Sequence, residues 1–337
     1  MLSTILITAA ISIAVTGVLG FVFIPILRKL KFGQTILDIG PIWHKKDKQG
    51  TPTMGGIMFI IGIIAAFGAG MGVMFMQGHI TTQPSDKMNL VTAVSGIIMA
   101  LLFGLIGFVD DFIKVKKKQN EGLTATQKII LQVMVIAAYF TVRILAGDTS
   151  TEINFPFLGS LDLWYFYYII MGLAILYLVN AVNLTDGVDG LCSSVTFVYS
   201  VIFIIITVSL NALGLTVLAA AAAGGCLGFL IWNFHPAKVF MGDTGSMFFG
   251  GIVVALGIGS NAEVLMVIAS AVYIWEALTV LIQTTYFKLT HGKRLFKMTP
   301  IHHSFEIRGW KEVKIVIVFS LIAAAAGVVS VLLVKGL

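Results

Sequence analysis

Long apolar runs alternate with short polar segments along almost the whole chain. A membrane-spanning helix needs about 20 consecutive apolar residues, and ten runs approach or exceed that length. They cover approximately residues 3–27, 53–76, 89–109, 127–146, 164–182, 191–209, 214–232, 246–260, 264–286 and 314–334. The pattern predicts an all-α polytopic membrane protein with ten transmembrane helices.

Two of the predicted spans differ from the others. The eighth is short, and the ninth contains Glu276 and Gln283. Polar side chains are costly in lipid, so the ninth helix should face protein or water along one side.

Composition supports a membrane protein formed as one domain. Of the 337 residues, 58% are hydrophobic and only 11% are charged, whereas soluble proteins carry about 25% charged residues. The first run lacks a basic start and a convincing cleavage site, which predicts a retained helix rather than a signal peptide. Residues 1–337 are therefore expected to form a single integral membrane domain. Cys192 and Cys226 lie in or beside apolar runs, which predicts buried thiols without a disulfide.

The distribution of basic residues predicts the orientation in the membrane. Nineteen of the 22 Lys and Arg residues fall in alternate loops on one side of the ten spans. The positive-inside rule places those loops in the cytoplasm and both termini outside. The net charge of +6 is thereby explained as a topology signal, and no nucleic-acid partner is expected. On the other side, the longest loop, residues 147–163, is expected to form a hairpin around Asn154–Gly159.

The segment 180–190 contains Asp186 and Asp189 together with two asparagines, and it contains no basic residue. Two neighbouring carboxylates without a protein cation suggest a bound metal ion or a cationic ligand. The alternative is a polar turn between two membrane helices, with glycine serving the turn.

Two further acidic sites follow or precede apolar runs. Asp110 and Asp111 end the third predicted span, and adjacent helical side chains diverge by about 100°, so the two should meet different partners. The alternative is a pair of interfacial acids neutralised by the following lysines. Asp243 is flanked by glycines that allow close approach to a ligand. Nearby Phe240 would either stack on a planar base or simply pack.

Two polar segments complete the set. The glycines of segment 50–56 do not form a phosphate-cradling Walker pattern, although Lys48 and Thr53 would suit phosphate oxygens. In segment 299–306, His302 and His303 would act as hydrogen-bond donors to phosphate or as proton carriers. The alternative is that they lie in a solvated loop. Five such segments on one face predict a single site for phosphoryl chemistry on Mg²⁺, with one lipid-borne and one soluble substrate.

These segments, taken in order, resemble the polyprenyl-phosphate N-acetylhexosamine-1-phosphate transferase superfamily. The resemblance rests on Asp110-Asp111, segment 180–190, segment 233–246 and the His302-His303 pair. Within the superfamily, segments 51–56 and 300–306 look like the bacterial MraY family of phospho-N-acetylmuramoyl-pentapeptide transferases. The resemblance extends over essentially the whole chain.

The resemblance implies a reaction. Such enzymes transfer phospho-N-acetylmuramoyl-pentapeptide from its UDP carrier to undecaprenyl phosphate, giving lipid I and UMP for peptidoglycan synthesis. They depend on Mg²⁺, are typically homodimers in the bacterial cytoplasmic membrane, and have an active-site cleft on the cytoplasmic face.

The resemblance also implies roles for individual residues. Asp243 is the implied Mg²⁺ ligand, Asp110 the residue that deprotonates or orients the lipid phosphate, and Asp111 the second essential acid of the pair. His302 would lie beside the phosphates. The implied substrate-binding residues are Lys48 and Thr53 in the nucleotide-sugar pocket, Asn183, Leu184, Asp186, Gly187 and Asp189 at the uridine or pyrophosphate, Asn233 and Phe240 at the uracil, and Lys128, Gln283 and His303. The family usually has a third successive histidine where this chain has Ser304, which leaves the role of that position open.

Two alternatives compete with this interpretation. A sister transferase would use UDP-GlcNAc or a related UDP-sugar with similar acidic motifs. An ion-coupled secondary transporter would use the acids to bind the coupling ion, but such sites usually lie near the bilayer midplane on broken helices. Glu276 is the one candidate acid for that position.

Overall fold

The computed structural model describes residues 1–30, 48, 50–79, 83–117, 119 and 121–337, with the side chains of Pro84 and Ser85 excepted. Lys31, Lys45, Lys46 and Lys118, which contributed to the predicted topology, lie outside the described residues.

Helices form almost all of the regular structure in the described ranges. They are α1 (Leu2–Lys29), α2 (Gly56–Met76), α3 (Pro84–Lys117), α4 (Ala125–Leu145), α5 (Phe166–Thr185), α6 (Leu191–Ser209), α7 (Leu213–Asn233), α8 (Gly242–Gly259), α9 (Glu263–Ala269), α10 (Ala271–Leu289), α11 (Ile301–Ile307) and α12 (Glu312–Leu333), followed by a 3₁₀ turn (Val334–Gly336). The two strands described are β1 (Glu152–Phe155) and β2 (Gly159–Asp162).

The predicted fold class is confirmed. Among the described residues, nine helices are long and apolar enough to cross a membrane, or ten if α9 and α10 together form one span. That pair is bent by 71°, so the ninth predicted span is a broken helix rather than a continuous one. Helix α11 is too short to span a bilayer.

The third predicted span is wrong at its end. It was expected to stop at residue 109, but α3 continues to Lys117. Asp110 and Asp111 therefore lie within the helix, about two turns before its end. Lysine is compatible with helix, so the lysines after the apolar run extend the helix beyond it.

Helices α7 and α8 form the centre of the bundle, with 83% of the membrane-spanning window of each buried. Glycines allow neighbouring helices to approach α7 closely, as small residues do in membrane bundles. A Cβ atom at Gly224 or Gly228 would lie 2.7 Å from the Cβ of Ser12 or Thr16 on α1, respectively.

Helices α3 and α8 are also packed backbone to backbone. A Cβ atom at Gly251 would lie 2.5 Å from the Cα of Ala100, and one at Gly107 would clash with the backbone of Asp243. This close approach brings the acidic part of α3 against the first turn of α8.

The hairpin predicted in the loop of residues 147–163 is confirmed. Strands β1 and β2 pair antiparallel, with Glu152 opposite Asp162 and Phe155 opposite Gly159. The Asp162 carboxylate accepts hydrogen bonds from the Thr151 hydroxyl at 2.6 Å and from the Trp164 amide at 2.9 Å, which closes the base of the hairpin.

Candidate active site

Three carboxylates converge where α3 meets α8. One oxygen each from Asp110, Asp111 and Asp243 lies within 4.8 Å of the others. Asp110 and Asp111 are buried, with 0% and 4% exposure. Asp243 precedes the eighth predicted span, which was expected to begin at residue 246, but it lies in the first turn of α8. The partial positive charge of the helix N-terminus favours an anion there.

Asp110 and Asp111 have different partners, as predicted from their adjacency on a helix. Asp111 accepts hydrogen bonds from the amide of Thr244 at 2.9 Å and from its hydroxyl at 2.7 Å. Asp110 instead accepts one from the amide of Leu123 at 2.7 Å. Asp111 thus attaches α3 to α8, while Asp110 holds the segment that leads into α4.

Two lysines lie among the acids. Lys114 Nζ is 2.6 Å from Asp110 and 3.0 Å from Asp243, and Lys128 Nζ is 3.1 Å and 3.0 Å from the same two residues. The alternative in which the acids pair with following lysines is therefore confirmed for Asp110. It does not exclude a site, because both lysines also contact Asp243. Lys114 was missed, although its spacing of four residues from Asp110 is a known helical pairing distance.

Asn183 connects the acid cluster to α5. Its side-chain amide donates to Asp243 at 3.0 Å and to the Ser246 hydroxyl at 2.8 Å. The fifth predicted span ends at residue 182, but α5 continues to Thr185, so only residues 186–190 connect two helices. Asn183 therefore joins the last turn of α5 to the first two turns of α8 through these two hydrogen bonds.

The acid cluster has suitable donors for Mg²⁺, a hard cation that takes oxygen ligands and is often held by one or two carboxylates together with substrate phosphates. Its three carboxylates face two lysine ammonium groups. The residues present therefore fit a divalent cation that is completed by phosphate oxygens.

Asp186 lies beside this cluster at the end of α5. Burial, followed by the charges of Asp243 and Asp111, raises the pKa of Asp186 to about 8. Another negative charge is unfavourable here because the acids of the cluster already repel it. A cation or a cationic part of a ligand would relieve that repulsion.

A second cluster is centred on Lys48. Its Nζ lies 2.7 Å from Asp189 and 2.8 Å from Glu312. Burial opposes the charge of this ammonium group, but Glu312 and Asp189 outweigh that effect and raise the pKa of Lys48. The expectation that the acids of segment 180–190 lack a protein cation is therefore wrong for Asp189. No local motif indicates this pairing, since Lys48 precedes Asp189 by 141 positions.

Asp189 also fixes the segment that follows α7. Its second oxygen accepts a hydrogen bond from the Ala237 amide at 2.9 Å and lies 3.2 Å from His235 Nδ1. The Asp189 amide in turn donates to Glu312 at 3.0 Å. His235 and Glu312 were not predicted as site residues, and both have long-range partners that a local motif does not reveal.

The segments around residues 52 and 240 are paired through their backbones. The Phe240 amide donates to the Pro52 carbonyl at 2.8 Å, and the Gly55 amide donates to the Phe240 carbonyl at 2.9 Å. Phe240 is half-buried, and Lys48 Nζ lies 6.0 Å from the centre of its ring. The two predicted nucleotide-pocket residues therefore lie together, although stacking on a base stays a prediction.

Thr53 and Asn233 support this region from inside the protein. Thr53 is buried and its hydroxyl lies 2.9 Å from the Cβ position of Gly242, which has a φ of +71°. Asn233 is buried and donates to the Val239 carbonyl at 3.0 Å. Asn233 thus holds the backbone next to Phe240.

The histidine pair lies on a short helix, α11, rather than in the solvated loop considered as an alternative. His302 is fully buried and its Nδ1 lies 3.1 Å from Glu276 of α10. His303 Nδ1 lies 2.6 Å from Glu306. Each histidine is therefore paired with a glutamate. Glu306 was missed as a site residue, although it follows His303 at the helical spacing of three residues.

The remaining predicted residues nearby have structural contacts. The Gln283 side chain binds the backbone of Leu295 and Phe296, and so holds the segment before α11. Ser304, in place of a third histidine, accepts from the Met298 amide at 3.0 Å and donates to its carbonyl at 2.6 Å. The third position therefore holds the turn that leads into α11. Leu184 is half-buried, and its substrate contact stays a prediction.

Gly187 is expected to be intolerant of a side chain. A Cβ atom there would clash with His302 Nε2 and would lie 3.2 Å from His303 Nε2. We expect Gly187→Ala to lower turnover by about 100-fold, because small displacements of reacting groups are costly. Steady-state kinetics on the purified variant would measure this.

Gly68→Ala is a matched control for that substitution, since a Cβ atom at Gly68 meets no described atom within 4 Å. Turnover by Gly187→Ala at the level of Gly68→Ala would contradict the close approach of His302.

Two family models match the chain in the regions that build the site. The model described as "Glycosyl transferase family 4" matches residues 93–261, which include all three clustered carboxylates. The model described as "Phospho-N-acetylmuramoyl-pentapeptide-transferase signature 1" matches residues 48–60, which include Lys48 and Thr53. The fold and the site thus define a polytopic membrane protein of the glycosyl transferase 4 class.

Curated relatives identify the family within that class. The chain is 44% identical to the phospho-N-acetylmuramoyl-pentapeptide-transferase of Clostridioides difficile, over 96% of each chain. It is 41% identical to the same-named protein of Halalkalibacterium halodurans, over 94% of this chain and 93% of the relative. A relative of this name from Desulforudis audaxviator is 37% identical over 99% of each chain. The chain belongs to the phospho-N-acetylmuramoyl-pentapeptide-transferase family.

Proposed function

We propose that this protein transfers phospho-N-acetylmuramoyl-pentapeptide from UDP to undecaprenyl phosphate, forming lipid I and UMP. The observation that carries the proposal is the cluster of Asp110, Asp111 and Asp243 with Lys114 and Lys128, in a chain that matches this family over nearly its whole length. Carboxylates for a metal, together with ammonium groups for phosphate oxygens, suit the transfer of a phosphoryl group between two anions.

In net terms, an oxygen of the lipid phosphate forms a bond to the β-phosphorus of the UDP-sugar. The bond from that phosphorus to the bridging oxygen breaks, and UMP leaves with the oxygen. An ionised phosphate monoester is already nucleophilic, so the main barrier is repulsion between anions. Bound Mg²⁺ would supply positive charge that lowers this repulsion.

The residues of the chain divide this work. Asp243, with Asp111 beside it, would hold the metal, and Asp110 would accept or orient a proton of the lipid phosphate. Lys114 and Lys128 contact Asp110 and Asp243 at 2.6–3.1 Å and would turn toward phosphate oxygens when substrates bind. The Lys48 cluster and Phe240 would bind the nucleotide.

We place this site at the cytoplasmic face of the bacterial inner membrane, with both termini outside. The distribution of Lys and Arg supports that orientation through the positive-inside rule. A homodimer stays a prediction, which cross-linking in native membranes would test.

The direct test is release of UMP by purified protein with UDP-MurNAc-pentapeptide, undecaprenyl phosphate and Mg²⁺. We expect UMP in a one-to-one ratio with lipid I. Folded protein that forms neither product would refute the proposal.

The same assay separates the alternatives. Turnover of UDP-GlcNAc in preference to the muramoyl-pentapeptide substrate would identify a sister transferase. Ion-dependent uptake into sealed vesicles without product formation would instead support a transporter.

A further inference from the structure

Glu276 of α10 is a buried carboxylate to which the proposed reaction assigns no role. Its side chain and that of His302 both have 0% exposure, and Glu276 Oε2 lies 3.1 Å from His302 Nδ1. An ionisable residue inside a membrane helix is costly unless a partner or a function compensates for it. The partner here is a histidine that belongs to the candidate active site.

The opposite edge of the His302 ring faces the segment that joins α5 and α6. His302 Nε2 lies so close to Gly187 that a side chain there would clash with it. Since Nδ1 faces Glu276, the ring extends from the carboxylate to residues 186–190, which neighbour the acid cluster. The ring orientation is therefore fixed by contacts on both edges.

The ring of His303 has the same orientation as that of His302. Its Nδ1 lies 2.6 Å from Glu306, and its Nε2 approaches the Cβ position of Gly187 at 3.2 Å. Both rings thus have a glutamate at Nδ1 and the 186–190 segment at Nε2. The two histidine–glutamate pairs therefore have the same orientation, with Nε2 of each ring toward the 186–190 segment.

The pair of Glu276 and His302 has no competing hydrogen bond among the described residues. Neither ring nitrogen of His302, and neither side-chain oxygen of Glu276, makes a well-formed hydrogen bond within that part of the chain, even though the two side chains are within ion-pair distance. Buried polar atoms without partners are costly in a structural core. Of these atoms, Nε2 of His302 is the one that faces the 186–190 segment, where a bound ligand would complete it.

Glu263 of α9 shows what a structural glutamate looks like in the same bent helix pair. It is also buried. One of its carboxylate oxygens accepts a hydrogen bond of 2.7 Å from the Tyr167 hydroxyl, while the other has no hydrogen-bond partner among the described residues. Glu263 therefore joins α9 to α5 and contacts no predicted site residue in the described structure.

We infer that Glu276 is a positioning residue for His302. Its carboxylate holds the proton on Nδ1 and fixes the ring, so that Nε2 is the nitrogen that shares a proton with a phosphate oxygen of the substrate. The hydrogen bond made by one imidazole nitrogen sets the proton position on the other, and a catalytic histidine is commonly oriented by a third group in this way. The inference rests on the proposed function, because that function brings phosphate to His302.

The test compares Glu276→Gln with Glu276→Asp, and with Glu263→Gln as the matched control. Glu276→Gln removes the charge at almost unchanged volume, and we expect kcat to fall roughly 10- to 100-fold, as when the partner of a functional histidine is lost. KM for the UDP-sugar should change little. Glu276→Asp should recover part of the loss, and Glu263→Gln should retain wild-type kcat.

A double-mutant cycle separates positioning from a general structural effect. If Glu276 acts through His302, adding Glu276→Gln to His302→Gln should lower kcat no further, since residues that act as a unit are not additive. In ¹⁵N-histidine spectra of the wild-type protein, His302 should carry its proton on Nδ1, and Glu276→Gln should shift that resonance.

Wild-type kcat in Glu276→Gln, or multiplicative losses in the double variant, would overturn the inference. Thermal unfolding of each variant identifies losses of kcat that are caused by misfolding. If Glu276→Gln misfolds, Glu276→Asp replaces it in the cycle, and it should lower kcat in the wild-type protein but not in His302→Gln. Absence of UMP release by the wild-type protein would refute the proposed function instead, while the ¹⁵N spectra would still test the pairing.

Discussion

Asp243→Asn should reduce UMP release by at least about 1,000-fold, since it removes charge from the centre of the site. The substituted side chain keeps its size, and its carbonyl can still accept from Asn183, which donates to Asp243 at 3.0 Å. What is lost is the charge that attracts a metal and that faces Lys114 and Lys128. The measurement is kcat for UMP release at saturating Mg²⁺.

Asp162→Asn is the control for that substitution. Asp162 is an exposed carboxylate of the hairpin, and its replacement should leave kcat within about twofold, as is usual for surface changes. Asp243→Asn with kcat near the wild-type value would refute the assignment of Asp243 as a metal ligand.

Removal of divalent cations should reduce UMP release by at least as much as Asp243→Asn does. Without added positive charge, the phosphate groups of the two substrates would approach a cluster in which three carboxylates face two lysines. We expect a chelator to reduce UMP release to background and excess Mg²⁺ to restore it. Mn²⁺ binding, followed by its paramagnetic resonance, should be lost in Asp243→Asn but retained in Asp162→Asn.

Turnover that continues in chelator, with metal content verified as negligible, would show that the lysines alone stabilise the transferred phosphoryl group. Asp243 would then be a partner for Lys114 and Lys128 rather than a ligand.

The fold was largely predictable because a bilayer imposes a length and a composition on every span. The ends of the individual helices were less predictable. The third span was ended at residue 109 where the apolar run stops, but the helix continues to Lys117, since lysines at a membrane edge do not break a helix. The bend between α9 and α10 contains no proline or glycine from which it could be predicted.

The acids of the candidate site were predictable because carboxylates are conspicuous beside apolar runs. Their partners were not. Lys114 belongs to one of the basic loops that predict the membrane orientation, and its contact with Asp243 depends on how α3 crosses α8. Glu276 was noticed as an intramembrane acid, but its pairing with His302 requires the packing of α10 against α11.

The contact between Lys48 and Glu312 joins positions 264 residues apart. Glu312 begins α12, so Lys48 cannot acquire both of its carboxylate partners until synthesis has reached the start of the last predicted span. Membrane proteins are made from the N-terminus onward, and earlier segments fold while later ones are still being synthesised. The proposed nucleotide pocket of a growing chain therefore lacks the contact between Lys48 and Glu312 while the preceding spans are inserted. We expect nucleotide binding only when synthesis is nearly finished.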